Sequence, residues 1–477
     1  MRGFQTFNPQ LNDFNSEIYF RSSDEEVMFV LECLNAAFKF LSNSSNEKRS
    51  FLLLTIANKL KYSEETIKEY YCKESGLSAS RFDIEFKRTL FQLQSFSDFL
   101  LDEFSKTETH TPRESSSPSL TKRNIPIGPV LVLGASNFPL AYSTIGGDSV
   151  AALAAGCPVI VKAHPMHVGT SLAVFNCVQE ALKETDFPNS IFQHLIDDGY
   201  DLVTQLTKDK RIKAIGFTGS IRGGRAIIDL ANSRPDPIPV FAEMGSANPV
   251  VFLENGFEND IEHYANLFAQ SICNDAGQFC TKPGLFFIPK NTFGEQLSST
   301  LQAKISEQQS VAMLHPTIWK NFERLKNERK STPNSVFFEV EKEQKGIIGK
   351  QAILKIDAKD FLKNDALKEE VFGPFAVIIS YSNEEELFDC IESLEGQLTA
   401  SIIANAEKSV LFDRLINCMQ HKVGRIILNG VSTGVRVDKN MQHGGPYPAS
   451  SDSRFSAVGT DSIYRFLRKV TFQNFPC

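Results

Sequence analysis

The chain has 477 residues, too many for one hydrophobic core, so two or three domains are expected at about 100–200 residues each. Its 42% hydrophobic and 22% charged residues are those of a globular protein, and a net charge of −7 supplies no broad basic field, which argues against nucleic acid and anionic membrane as principal partners. The cysteines number nine, at irregular spacing and without a CxxC pair, which argues against a disulfide framework and a metal site and for a reducing compartment.

In chain order, Met1 to Asn8 lacks the apolar centre of a secretory leader. The longest low-polarity run, Ala151 to Val161, is interrupted by Gly156 and Pro158 and is far shorter than the roughly 20 apolar residues a membrane span needs. A cytoplasmic protein is therefore expected. Ser23-Asp24-Glu25-Glu26 spells a capping box, after which Val27, Leu31, Leu34, Phe38 and Leu41 form one apolar stripe. Further helical patterns run from Glu47 to Leu60, Ser63 to Cys72 and Ser78 to Phe104. Ser105 to Ser119 is polar, rich in Ser and Thr, and reads as an exposed arm.

From Ile125 the texture changes to apolar strands alternating with glycine-bearing turns and helices. Pro129 to Leu133, Pro158 to Val161, Lys213 to Phe217 and Asn248 to Phe252 are nearly continuous in apolar residues, the pattern of strands buried on both faces in a parallel, doubly wound sheet. Such sheets bind ligands beyond the carboxyl ends of their strands. A second α/β region follows Cys280 as far as about Gly445, with strands near Phe375 to Ile379, Ala400 to Ile403 and Ile426 to Leu428. The alternating run Lys469 to Phe475 is a terminal strand suited to pairing, plausibly with another subunit.

Chemistry-bearing residues fall at the strand ends. Asn137, in Gly134 to Pro139, is a turn former or an amide donor aimed into a cleft. Lys162 closes the next strand, with His164 behind it, where a cation could bind an anionic or polyhydroxylated ligand or simply be solvated. Gly219 and Ser220 stand between a strand and a helix start, which suits a pyrophosphate at free amides or plain capping. Glu243, isolated among small and apolar residues, is a candidate general base. Cys280 lies in the polar loop between the helix-like run Ile261 to Ile272 and the strand-like run Leu285 to Ile288, and is either a nucleophilic thiolate or a small filler. Glu370 and Phe372 precede a tight turn.

From about residue 120 to the end, this set resembles the aldehyde dehydrogenase superfamily, through FTGS at Phe217 to Ser220, the glutamate of AEMGSANP, GQFC, and EEVFGP at Glu369 to Pro374. Val130 to His164 and the tail HGGPYPASSDSRFSAVGT resemble the branch of α-ketoglutarate semialdehyde dehydrogenases and NADP-dependent fatty aldehyde dehydrogenases. The resemblance implies a Rossmann-type cofactor domain (1–104 and 120–245), an exposed arm at 105–119 that is part of a small β oligomerisation element, an α/β catalytic domain (246–445) and a C-terminal segment (446–477) with the oligomerisation strand, in a homodimer or homotetramer. It implies that Cys280 attacks an aldehyde, that Asn137 and the Cys280 N–H stabilise the oxyanion, and that Glu243 activates water to release the acid. Lys162 would hold the adenosine ribose, Ser220 the pyrophosphate, and Glu370 the nicotinamide ribose, with Phe372 against the ring.

His164 stands near where NAD-preferring relatives carry a glutamate, which favours NADP over NAD, while Ser246 departs from a common glycine with no evident effect. α-Ketoglutarate semialdehyde as substrate would require a cation for its carboxylate; Arg436 is the candidate, with Arg123 and Arg454 as rivals, and an aliphatic aldehyde is the alternative if no arginine faces the pocket. A CoA-acylating relative would not need Glu243, and a non-catalytic one would be expected to lack Cys280, Glu243 or Asn137.

Overall fold

Ser23 caps the first helix as its sequence spells: its hydroxyl accepts from the Glu26 N–H at 3.2 Å and the Glu26 carboxylate accepts from the Ser23 N–H at 2.7 Å. The computed structural model describes residues 3–112, 114, 117–253, 260–341, 345–405 and 410–475, so that 113, 115 and 116 of the expected arm and 476–477 of the C-terminal segment lie outside the described residues. The helices Asp24–Ser42, Asn46–Tyr62, Glu64–Ser75 and Ala79–Asp102 make up most of the first hundred residues. Ala79–Asp102 buries Phe82, Phe86, Leu93 and Phe96 and also carries Arg81, Glu85 and Arg88 towards the cleft.

Two parallel sheets follow. The first has five strands in the order Val240–Glu243, Ala214–Thr218, Val130–Leu133, Val159–Lys162 and Phe192–Leu195. All of its pairings are parallel. The fourth expected strand departs from it: Pro249–Phe252 lies in the second sheet, paired with Leu285–Pro289 and Gln397–Ile403. That seven-stranded sheet also holds Phe375–Tyr381, Val423–Leu428, Ala352–Asp357 and an antiparallel edge strand, Ser335–Glu339. The chain thus crosses from the first sheet to the second through the five residues 244–248, between Glu243 and Pro249.

A third sheet joins Thr109–Thr111, Leu120–Pro126 and Leu467–Gln473, antiparallel throughout, so the arm includes 120–126 as well as the polar stretch before it. The expected terminal strand forms here within the chain and remains an edge strand. Before it, residues 443–457 fold back over the end of Val240–Glu243: Met244 N–H donates to the Ala449 carbonyl at 2.8 Å, and Ala242 N–H to Ser451 Oγ at 2.8 Å. No described helix is long and apolar enough to cross a membrane.

Candidate active site

The Cys280 loop is shaped by backbone held in an unfavourable conformation. Helix Ile261–Cys273 is followed by Asp275, Ala276 and Gly277, all left-handed, at φ 46°, 54° and 64°. For Asp and Ala this costs about 1 kcal/mol or more each and persists only where surroundings impose it. Arg81 Nε donates to the Asp275 carboxylate at 2.8 Å, and Gln278 Nε2 donates to the Asp275 carbonyl at 2.9 Å. A Cβ on Gly277 would lie 2.5 Å from the Gly373 carbonyl, so this close approach joins the GQFC and EEVFGP segments and admits only glycine.

Downstream of the bend, Asn248 Nδ2 donates to the carbonyls of Cys280 at 2.8 Å and Lys282 at 2.9 Å, and Ser432 Oγ donates to that of Thr281 at 2.7 Å. Ser246 acquires a role as well: its hydroxyl donates to Gln397 Oε1 at 2.9 Å and accepts from the Leu398 N–H at 2.9 Å, tying the loop after Glu243 to the second sheet.

Around Sγ the structure assembles three groups. His443 Nε2 stands 3.9 Å from Cys280 Sγ and 3.5 Å from Glu243 Oε1, and ligand-type atoms of the three lie within 4.8 Å of one another. Glu243 and His443 are buried, and among the described residues neither Glu243 oxygen has a hydrogen-bond partner. Burial pushes the Cys280 thiol well above its ordinary range, and the Glu243 and Glu370 carboxylates push it the same way. Asn137 Nδ2 donates to the Gln278 carbonyl at 2.8 Å, two residues before the nucleophile. A small cavity of about 20 Å³, lined among others by Glu243, His443, Ser450 and Arg465, has room for roughly one water. The trio is also the one described cluster with metal-ligand spacing.

Of the expected dinucleotide contacts, Lys162, His164, Gly219 and Ser220 lie at the carboxyl ends of first-sheet strands, whereas Glu370 and Phe372 precede strand Phe375–Tyr381 of the second sheet. Lys162 ends its strand, is buried, and is pushed down to about 8 by that burial, with Asp197 and Asp198 opposing. His164 is held neutral by burial and stacks on His167 at 5.2 Å. Ser220 caps helix Ile221–Asn232, accepting from the Gly223 N–H at 3.1 Å, with Gly219 and Ser220 both exposed. Glu370 is enclosed, its Oε1 without a partner among the described residues, and burial pushes its carboxyl up to about 8. Phe372 is half-buried nearby. An exposed helix N-terminus, a buried cation at a strand end and a carboxylate with one buried, unpartnered oxygen fit the pyrophosphate and hydroxyl groups of a nicotinamide dinucleotide.

Arg436 does not join the cluster: its side chain is 82% exposed and pairs with Asp438, because Val435 and Val437 on either side turn inward. Arg454, 80% exposed, pairs with Asp452, and Arg123 sits on the arm sheet near Glu108. The site also holds residues that the sequence reading passed over, His443, Asn248 and Arg88. The HGGPYP run containing His443 was the one available signal for any of them. A larger surface concavity of about 1000 Å³, lined by Pro9, Gly76, Gln270, Gln308 and Thr433 among others, includes none of Cys280, Glu243 and Asn137.

A parallel sheet with an exposed helix N-terminus and a buried lysine at its carboxyl ends, together with a loop-borne cysteine beside a buried carboxylate, has the parts of an oxidoreductase that works on a carbonyl. The chain matches the Aldehyde dehydrogenase family over residues 2–457 and belongs to that family; it is an NAD(P)-dependent aldehyde dehydrogenase. It is 36% identical, over 96% of its length and 88% of the relative's, to the α-ketoglutaric semialdehyde dehydrogenase of Acinetobacter baylyi. With α-ketoglutaric semialdehyde dehydrogenase 2 of Azospirillum brasilense it shares 33% identity over 99% of this chain and 91% of the relative. The fold matches glyceraldehyde-3-phosphate dehydrogenase of Methanocaldococcus jannaschii, solved with NADP, at TM-score 0.83 and 18% identity over 99% of both chains. It also matches 1-pyrroline-5-carboxylate dehydrogenase from Thermus, solved with NAD, at TM-score 0.82 and 18% identity over 99% of this chain and 90% of that one.

Proposed function

We propose that this enzyme oxidises α-ketoglutaric semialdehyde to 2-oxoglutarate by hydrolytic acyl transfer through Cys280. The observation that carries the reading is the placement of Sγ, His443 Nε2 and a Glu243 carboxylate oxygen within 4.8 Å of one another. The two semialdehyde dehydrogenases it resembles support the substrate.

The thiol is held protonated by burial and two carboxylates, so nucleophilic attack requires a base; His443 Nε2 is placed to take the proton. Asn137 Nδ2 and the Cys280 N–H then stabilise the oxyanion of the thiohemiacetal. Lys162, Ser220, Glu370 and Phe372 would hold the dinucleotide, which when bound would supply the hydride acceptor that takes the thiohemiacetal to the thioester. Glu243, with unpartnered oxygens beside a water-sized cavity, activates the water that releases the acid. A buried carboxylate at that point disfavours the CoA-acylating alternative, in which no water need be activated.

His164 in place of a carboxylate favours NADP. Asp197 and Asp198 oppose it, lying within electrostatic reach of Lys162 while Arg21 bridges the pair. We propose that both cofactors are used, and that Asp198→Ala raises the ratio of kcat/KM with NADP to that with NAD. The exposed edge strand Leu467–Gln473 supports a homodimer or homotetramer.

The test of the substrate reading is cofactor reduction with α-ketoglutaric semialdehyde and with hexanal. A higher kcat/KM for the semialdehyde is expected; a preference for hexanal would move the enzyme to aliphatic aldehydes.

A further inference from the structure

The apolar cluster beside the catalytic loop comprises Ala135, Ala141, Tyr142, Val437 and Val458, with Phe138, Val435 and Met441 packed against it. Two guanidinium groups enter this apolar setting. Arg88, from helix Ala79–Asp102, donates from Nη2 to Tyr142 Oη at 3.0 Å and from Nε to the Val435 carbonyl at 3.3 Å, with its guanidinium 4.9 Å from the centre of the Tyr142 ring. Arg425, from strand Val423–Leu428, donates from Nη1 to the Gly434 carbonyl at 3.2 Å and from Nη2 to that of Ser432.

Among the described residues neither arginine has a carboxylate partner. Two acids beside this helix, Glu85 and Asp275, are committed to other partners. Glu85 accepts from Arg81 and from the Leu140 and Ala141 amides, and Asp275 accepts from Arg81. Arg88 Nη1 is buried and, among the described residues, has no acceptor. Tyr142 accepts from Arg88, and among the described residues no acceptor stands opposite its own O–H. On its other side the ring lies 5.9 Å from that of His443, which touches the nucleophile.

A half-buried cation with one buried donor left without an acceptor and no counter-ion beside it is an electrostatic deficit that an anionic ligand removes. A fork with spare donors, next to a hydroxyl polarised by that fork, is suited to a carboxylate. We infer that Arg88, acting with the Tyr142 hydroxyl, receives the distal carboxylate of an ω-oxo acid whose aldehyde end reaches Cys280. Arg425 adds positive charge and, with Arg88, holds the loop from Ser432 to Val435 in place. This deepens the proposed function and rests on it.

The test compares kcat/KM for α-ketoglutaric semialdehyde and for pentanal, a neutral aldehyde of the same chain length, in the wild type and in Arg88→Met, Arg88→Lys and Tyr142→Phe. The ratio of semialdehyde to pentanal is expected to fall by roughly 10- to 100-fold in Arg88→Met, mostly through KM, and less in Arg88→Lys and Tyr142→Phe. Inhibition by glutarate, a product-like dianion that needs no turnover, should weaken in the same order. A ratio that stays fixed while both substrates lose activity together would make Arg88 a loop clamp only and overturn the inference. Wild-type oxidation of pentanal but not of the semialdehyde would overturn the substrate reading and this inference together. Absence of oxidation with either would instead contradict the proposed catalysis.

Discussion

At the scale of single residues, the chemistry depends on a thiol that its surroundings keep protonated. Glu243 and Glu370 both raise it, whereas His443 offers a base. His443→Ala is therefore expected to slow alkylation of Cys280 by iodoacetamide near neutral pH by roughly 10-fold or more, whereas Glu243→Gln, which removes a negative charge, should speed it. Faster alkylation in His443→Ala would contradict this assignment. Cofactor binding has its own pH dependence. Lys162 is pushed down to about 8 in the free enzyme, and an anionic ligand favours its charged form, so affinity should be highest below pH 8 and fall as the pH rises above it. A titration of dinucleotide binding that stays flat from about pH 7 to 10 would deny Lys162 that part.

Residue types and order pointed to these positions: Glu243 and Lys162 end strands, Asn137 follows one, Ser220 opens a helix, and Cys280 lies in a polar loop between a helix and a strand. His443 and Arg88 were not legible, because neither has a local signal. His443 is 163 positions from Cys280 and arrives only because the tail folds back over the first sheet, whereas Arg88 sits in a helix whose pattern reports packing alone. Arg436 was the natural guess on an exposed loop, and strand-like alternation between Val435 and Val437 turns it outward.

At the scale of elements, the site is made by segments that leave regular structure. Asn248, left-handed at φ 48°, ties the loop between the sheets to the carbonyls of Cys280 and Lys282. Asn248→Ala removes those donors and leaves buried acceptors open, so a loss of about 2–3 kcal/mol is expected, seen as a lower Tm together with lower kcat. An unchanged Tm would show that the loop is held by Ser432 and Arg81 alone. Gly277→Ala should be worse, since the added carbon meets the Gly373 carbonyl at 2.5 Å in a left-handed position. The buried strands were readable because both faces are apolar. Ser335–Glu339 and Ala352–Asp357 were not, because the first is a short, half-exposed edge strand and the second interleaves Lys355 and Asp357 with apolar residues. Nothing in the sequence of Pro249–Phe252 says which sheet it joins; Asn248 at the bend decides that.

At the scale of the whole molecule, a five-stranded parallel sheet and a seven-stranded sheet with one antiparallel edge strand are joined through residues 244–248, which link Glu243 at the end of the first to the Asn248 that holds the Cys280 loop. The alternation of strand and helix made this division visible, but composition could not show that 120–126 and 467–473 join the arm in a separate sheet. The most direct test of the account is to quench Glu243→Gln during reaction with α-ketoglutaric semialdehyde and dinucleotide, and to weigh the peptide containing Cys280. The account predicts a burst of reduced cofactor matched by a 2-oxoglutaryl thioester on Cys280, with slow turnover afterwards. An unmodified Cys280 with undiminished steady turnover would contradict it.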